Sequence, residues 1–271
     1  MYLEFYGLTL PPFDITPNPR FLFLTEKHSE ALNHLLYGIR ERKGYVQLTG
    51  EVGAGKTTVC RAMLRQLDSH FSTALIVNPV LSATELMRAI ATEFGLEVKG
   101  LDQHDTVTAI NNFLVRQVQQ CGDAVLIVDE AQNLSEELLE QVRLLSNLEM
   151  DDRKLLQIVL LGQPELRDRL NNPKLRQLRQ RITVRYHLLP LSRDEVNSYV
   201  RHRLHCSGAN GTPAFTRPAL WRVYRYSQGI PRLVNAVCDK ALLAGFVHKC
   251  EQISYRLVGQ AIRELEGDIG V

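Results

Sequence analysis

Eight consecutive residues, Gly50-Glu51-Val52-Gly53-Ala54-Gly55-Lys56-Thr57, fit the pattern G-x-x-x-x-G-K-[ST] at every fixed position. The chemistry this pattern serves is the holding of a phosphate chain. Glycines let a backbone curl until its N–H groups point at phosphate oxygens, the role expected of Gly50 and Gly55. Lys56 then reaches the outer phosphates, and Thr57 and Thr58 open a helix whose positive end favours anions. The Thr57 hydroxyl is placed to sit on a magnesium ion. A second constellation, Val125-Leu126-Ile127-Val128-Asp129-Glu130, is an apolar run that delivers two adjacent carboxylates. Asp129 suits a second magnesium ligand and Glu130 suits the residue that orients or polarises an attacking water. Together the two runs imply ATP and ADP as ligands, with Mg²⁺, and hydrolysis to ADP and phosphate as the reaction. Each also has a plainer reading: a glycine turn between core elements for the first, and a solvated loop after a strand for the second.

Such residues work only if strands and helices carry them. Before the glycine run, Gly44-Tyr45-Val46-Gln47-Leu48-Thr49 is a short β-rich stretch that reads as a buried strand. After it, Val59, Met63, Leu64 and Leu67 recur at helical spacing. The carboxylate pair stands at the C-terminal end of its run, where open α/β sheets place their ligands. Further strands are expected at 74–78, 156–161 and 183–187, beside 45–49 and 124–129. Between them lie helical stripes at Leu86, Ile90 and Phe94, at Ile110, Leu114 and Val118, and at Leu138, Val142 and Leu145. Alternating strands and helices predict a five-stranded parallel sheet covered by helices. After Pro190 only helical patterns remain, opened by the capping box Ser192-Arg193-Asp194-Glu195. Thr216-Arg217-Pro218 starts another helix, Gly229 ends it, Pro231 opens a third, and Val258, Ile262 and Leu265 mark the last. The expected division is an α/β domain over 1–190 and a small all-helical domain over 191–271. The first 25 residues, rich in aromatics and proline, are expected to form an ordered loop packed on the α/β domain.

Composition narrows the classes. The 271 residues are 45% hydrophobic and 23% charged, the balance of an ordinary globular protein. With 32 basic and 30 acidic side chains, bulk electrostatics does not draw the chain to nucleic acid or membrane. Cys60, Cys121, Cys206, Cys238 and Cys250 are scattered and form no C-x-x-C pair, which suits a reducing cytoplasm. The N-terminus lacks the basic start and apolar run of a secretory signal. The chain ends just after a helical pattern, an ending compatible with a longer natural protein trimmed at a domain boundary.

The two motifs, in an α/β domain followed by a helical lid, resemble the AAA+ ATPases, and the resemblance spans about the whole chain by the order of its parts. It implies a polar sensor at the end of the strand Gln157–Gly162, here Gln163, where Asn or Thr is more usual; the alternative is a turn residue before Pro164. An arginine-rich stretch follows, with Arg167, Arg169, Arg176, Arg179, Arg181 and Arg185. A solvated helix face is its plainer reading. The resemblance makes Arg181 the finger inserted into a neighbouring subunit's site, with Arg179 and Arg185 as rivals, so the active form would be a ring or another oligomer. Gly229-Ile230-Pro231-Arg232 resembles the sensor 2 motif, in which Arg232 reaches the nucleotide. A cation at a helix N-terminus opposes the helix dipole, so a functional partner is the natural inference, against a surface arginine.

Longer blocks narrow the likeness. Phe5-Tyr6-Gly7-Leu8, Pro12-Phe13, Thr16-Pro17-Asn18-Pro19-Arg20-Phe21, Asp129-Glu130-Ala131-Gln132, Leu161-Gly162-Gln163-Pro164-Glu165-Leu166 and Gln180-Arg181-Ile182 resemble the GspA/ExeA type of general secretion pathway ATPase. Pilus-biogenesis and transposition ATPases share parts of the pattern. The resemblance implies that Pro12 and Phe13 line an adenine pocket, core packing being the alternative. It also implies a cytoplasmic AAA+ part of an inner-membrane protein, a GspB-type membrane partner, and a peptidoglycan-binding part absent from these residues. ATP turnover would drive assembly or insertion of the outer-membrane secretin through the cell wall. The competing reading is a DNA-associated regulator resembling transposition ATPases, supported by the arginine stretch and by Arg201, Arg203, Arg222 and Arg225. The nearly neutral net charge opposes it, and nucleic acid is not the expected partner. A small-molecule kinase is disfavoured by the Asp129-Glu130 pair and the helical lid.

Overall fold

The structure is a computed structural model and describes residues 1–14, 18–77, 79–120, 122–146, 149–150 and 153–267. Thr16 and Pro17 of the N-terminal block, Asn78 of the second expected strand, and Cys121 lie outside the described residues. In chain order the helices are α1 (Tyr2–Tyr6), α2 (Glu26–Arg40), α3 (Lys56–Leu64), α4 (Ala83–Glu93), α5 (Gln103–Gln119), α6 (Glu136–Leu145), α7 (Pro164–Leu170), α8 (Arg176–Arg181), α9 (Arg193–Cys206), α10 (Arg217–Ser227), α11 (Pro231–Val247) and α12 (Tyr255–Glu266). The main strands are β1 (Tyr45–Gly50), β2 (Phe71–Ile76), β3 (Asp123–Val128), β4 (Leu156–Gly162) and β5 (Ile182–Leu188).

These five strands form one parallel sheet in the order β2-β3-β4-β1-β5. Every residue of β1, β3 and β4 is buried, the pattern of strands covered by helices on both faces. Along β3, Leu126 and Val128 join a core with Leu86 and Ile90 of α4, Ile110 and Leu114 of α5, and Leu138 and Val142 of α6. Val125 and Ile127 point the other way, as the two-residue period of a strand requires. β2 starts three residues earlier than its expected 74–78. It is an edge strand with Phe71, Ser72 and Thr73 only half buried, so it lacks the apolar run that marks its neighbours.

Register delivers the functional ends together. Thr49 of β1 lies opposite Gly162 of β4, and Leu160 of β4 lies opposite Val128 of β3. The residues that follow these strands therefore emerge along one edge of the sheet.

Contacts divide the chain into two units: Lys27–Gly50 with Lys56–Leu188, and Met1–Glu26 with Glu51–Gly55 and Leu189–Val271. The first is the α/β unit just described. In the second, Val196 and Val200 of α9, Leu220 and Val223 of α10, Val237, Ala241 and Leu242 of α11 and Val258 of α12 share a core with Tyr6, Leu8 and Phe13. The capping box forms as expected, the Ser192 hydroxyl and Glu195 carboxylate each taking the other's backbone N–H. Thr216 caps α10 and Pro231 opens α11.

The N-terminal segment differs from its expected description. It carries a helical turn, α1, closed by Gly7 at φ 66°, and a 3-10 turn at Pro19–Phe21, and it clusters with the helical unit instead of the α/β unit. Its aromatics explain why. Tyr2 donates to Asp239 at 2.8 Å, the Tyr6 hydroxyl reaches the carbonyls of Leu242 and Cys250, and Phe13 meets Phe215 edge-on. A two-residue parallel pair, Ala214–Phe215 with Gln252–Ile253, also lies among these helices. It is too short to leave a periodic signal. Among the described residues, no helix is long and apolar enough to cross a membrane.

Candidate functional site

The glycine run leaves β1 at Gly50 and enters α3 at Lys56. Its curl is made by Gly53 at φ 77° and Gly55 at φ 104°, a left-handed backbone that side-chain-bearing residues rarely adopt. The curl was expected at Gly50 and Gly55; Gly50 is instead still in the sheet, paired with Leu188. Gly50 is required for a different reason, since a Cβ there would lie 2.7 Å from the Leu188 carbonyl oxygen. Glu51 and Val52 are exposed at the crown of the turn and Ala54 is buried beneath it, its N–H returning to the Glu51 carbonyl. Lys56 is 5% exposed and its ammonium donates to the Gly50 carbonyl at 2.8 Å, across the base of the loop. Thr57 is exposed and Thr58 half buried in the first turn of α3.

β3 brings the carboxylates to the same place. The Thr57 hydroxyl donates to Asp129 Oδ2 at 3.1 Å, and the backbone N–H of Glu130 donates to Asp129 Oδ1 at 2.9 Å. Asp129 is 5% exposed, so its charge is held by local donors and not by bulk water. The Thr57 hydroxyl and an Asp129 oxygen side by side are hard oxygen donors of the kind Mg²⁺ takes.

Glu130 has a left-handed backbone, φ 52° and ψ 38°, unusual for a residue with a side chain and a store of strain where such residues gather at functional sites. Its carboxylate is gripped: Oε2 accepts from Gln132 Nε2 at 2.5 Å and from Gln163 Nε2 at 3.0 Å. Burial alone pushes the Glu130 carboxyl up, but the two amide hydrogen bonds and the field of Lys56 outweigh it and hold the pKa below its ordinary value. Gln163 occupies the N-cap position of α7, before Pro164, yet makes no side-chain cap bond; its amide turns to Glu130. Gln132 was not singled out from sequence, although it stands in the Asp129-Glu130-Ala131-Gln132 block. Its Oε1 accepts the Gln163 backbone N–H at 3.1 Å, which fixes which way its amide faces and makes it a brace between β4 and Glu130.

The remaining candidates separate. Arg232, exposed in the first turn of α11, runs beside Gly53: a Cβ on Gly53 would lie 2.6 Å from the Arg232 Cβ. Pro12 and Phe13 are buried in the helical unit, Phe13 at 1% exposure, with Pro12 giving its carbonyl to Arg203. Arg181 ends α8, where Ile182 starts β5 opposite Tyr45, the first residue of β1. It therefore stands at the end of the sheet opposite the loop, donating to Ser146 Oγ at 3.0 Å. Its rivals are turned elsewhere, Arg179 to Asn171 and Arg185 to the Arg179 carbonyl.

A curled glycine loop after the second strand from the edge, an adjacent Asp-Glu pair, a polar residue closing the strand between them and a following helical unit define an AAA+ protein, and residues 39–170 match the AAA domain family. The chain has the AAA+ fold and carries an AAA domain over residues 39–170. Over 268 residues it is 48% identical to General secretion pathway protein A of Aeromonas hydrophila, covering 98% of this chain and 49% of that protein. It spans about half the length of that relative. Solved structures agree on the fold: Cdc6p of Pyrobaculum aerophilum superposes with a TM-score of 0.73 at 17% identity over 96% of this chain and 73% of its own. The ORC2 protein of Aeropyrum pernix, in ADPNP and ADP complexes, gives 0.69 at 18% identity over 93% and 71%.

Proposed function

We propose that this chain binds ATP and hydrolyses it to ADP and phosphate as the nucleotide-driven part of a secretion machine. The observation that carries the reading is the convergence of Thr57 on Asp129, with Glu130 beside them braced by Gln163 and Gln132. Loop N–H groups and Lys56 bind the phosphate chain. Thr57 and Asp129 would hold Mg²⁺, which supplies charge neutralisation on the phosphate oxygens when bound. Glu130 orients the water and accepts its proton at a carboxylate oxygen, and its low pKa keeps that oxygen ionised at neutral pH. Gln163 fixes the carboxylate in place. Arg232, beside Gly53, reports nucleotide state to the helices of its own unit.

The division into an α/β domain and a helical lid, with 1–26 belonging to the lid, goes with this reading. Arg181 serves a neighbouring copy, so the working form is a ring or other oligomer. Similarity to a general secretion pathway protein supports a place in secretin assembly at the inner membrane, with a GspB-type partner and the cell wall engaged by other parts of such proteins. Nucleic acid is left out as a partner. Of the four arginines in the helical unit that could favour it, Arg203 is buried, Arg222 lies over Tyr255 and Arg225 over Trp221.

Two variants test the core of the reading. Lys56→Ala is expected to abolish binding of a fluorescent ATP analogue. Glu130→Gln is expected to keep that binding and lose phosphate release by 100-fold or more, on the order of one essential catalytic group. Equal turnover in Glu130→Gln and the wild type would remove Glu130 from the mechanism.

A further inference from the structure

In α12 the helical unit gives up a side chain to make room for a charge. Gly259 is buried in the interior of that helix, a place where glycine is less favourable than alanine. The three atoms nearest to where a Cβ would stand all belong to the Arg222 guanidinium of α10: Nη1, Cζ at 2.5 Å and Nη2 at 2.7 Å. Seated over this glycine, Arg222 donates to the Tyr255 carbonyl at 3.2 Å, and its Cζ lies 4.3 Å from the centre of the Tyr255 ring. Tyr255 stacks on Trp221, with 6.4 Å between ring centres and 22° between planes, and the Arg225 guanidinium lies 5.4 Å from the Trp221 ring. Two guanidiniums and two rings thus form one connected cluster across α10 and α12.

The cluster is at the surface: Tyr255 is 42% exposed, Arg225 is exposed, and Trp221 and Arg222 are half buried. The hydrogen bonds and ion pairs of the described residues give neither guanidinium a carboxylate. Tyr255 opens α12, so whatever follows Glu266 leaves from the far end of the helix, about 17 Å away at 1.5 Å per residue. Tryptophan, tyrosine and arginine are the residues that carry most of the energy at protein interfaces. A guanidinium laid over a ring keeps its N–H edge free, and that planar fork matches a carboxylate through two parallel bonds. Because the forks are already held, less freedom is lost when a partner arrives.

We propose that Trp221, Arg222, Arg225 and Tyr255 form a docking surface for an acidic segment of a partner protein, and that Gly259 is the positioning residue that lets Arg222 lie ready for it. Charge complementarity sets the occupant: carboxylates meet the two forks, and the apolar stem of the segment rests on the rings. Nucleic acid fits the surface less well. Each ring already has a ring and a guanidinium for neighbours, whereas a platform for bases keeps its aromatic faces open. The inference is independent of nucleotide hydrolysis and gives a use to two arginines that the ATPase site does not employ.

The test follows the fluorescence anisotropy of a labelled deca-glutamate peptide titrated with the full 271-residue chain at low ionic strength. The wild type is expected to bind it, and Arg222→Gln and Arg225→Gln are each expected to weaken that binding about tenfold, the scale of one lost charge-assisted contact. Gly259→Ala keeps every charge and improves the propensity of the helix, so it should melt no lower than the wild type. It should still weaken the peptide about fivefold, because its Cβ displaces the Arg222 guanidinium from its prepared position. All three variants should bind the fluorescent ATP analogue as the wild type does. No peptide binding, or wild-type affinity in Arg222→Gln and Arg225→Gln, overturns the inference. Wild-type affinity in Gly259→Ala overturns the prepared site, leaving only loose attraction between charges. An oligothymidine of equal charge that binds more tightly than the peptide, with the same dependence on both arginines, assigns the surface to nucleic acid and overturns the inference as well.

Discussion

Glycine at position 53 is under two separate demands, and they can be measured together. Its φ of 77° costs an L side chain about 1–2 kcal/mol, and a Cβ there would press on the Arg232 Cβ at 2.6 Å. Neither atom is the far end of a flexible chain, so the backbone must shift. Gly53→Ala is therefore expected to weaken nucleotide affinity at least about tenfold, equal to about 1.4 kcal/mol, in an equilibrium titration. Unchanged affinity would show that the loop's left-handed turn is not what presents its N–H groups. The residue scale also shows what spacing conveys and what it conceals. The pattern named Lys56, Thr57, Asp129 and Glu130, and the structure brings Thr57 to Asp129 and places Glu130 next to it. It did not distinguish the curling glycines, because Gly50, Gly53 and Gly55 look alike in one dimension while only two take a positive φ. Gln132 was equally hidden, since its role depends on a bond to the backbone of Gln163, thirty-one residues away in sequence.

At the scale of elements, the five strands were legible because three are buried on both faces and read as apolar runs. The attachment of the N-terminal segment was not, because beside its aromatics it depends on one long-range cation. Arg203 of α9, 7% exposed, donates to the carbonyls of Pro12 and Asp14 and to the Tyr199 hydroxyl, and lies 4.6 Å from the centre of the Phe21 ring. By sequence it was one more arginine in a charged helix. Arg203→Met keeps most of the apolar stem but leaves those carbonyls without a donor, at a cost of about 3 kcal/mol for charge-assisted bonds in a buried place. Urea unfolding followed by tyrosine and tryptophan emission should register that loss, with limited proteolysis cutting first before residue 26. A change under about 0.5 kcal/mol would mean that Tyr2, Tyr6 and Phe13 hold the segment unaided.

For the whole molecule, the position of Arg181 decides whether one copy can be sufficient. Ile182 is paired with Tyr45 at the start of β1, while the phosphate loop begins after Gly50 at its end. Five strand steps separate them, about 17 Å at 3.3 Å per residue. An extended arginine side chain spans less than half of that by its bond lengths. On the proposed reading, Arg181 therefore cannot reach phosphates held by its own loop unless the sheet itself breaks, and a catalytic role for it would require a neighbour. Turnover per subunit is accordingly expected to rise with protein concentration and to level off where sedimentation shows the assembled form. If Arg181 is the finger proposed above, Arg181→Ala should bind nucleotide as the wild type does yet stay flat and low across the same range, since an arginine finger is worth roughly 10³–10⁵ in rate. Turnover that is constant from the fully monomeric to the fully assembled range would refute the shared site, and the ATPase would then have to complete its chemistry with Lys56, Glu130 and Gln163 of a single chain.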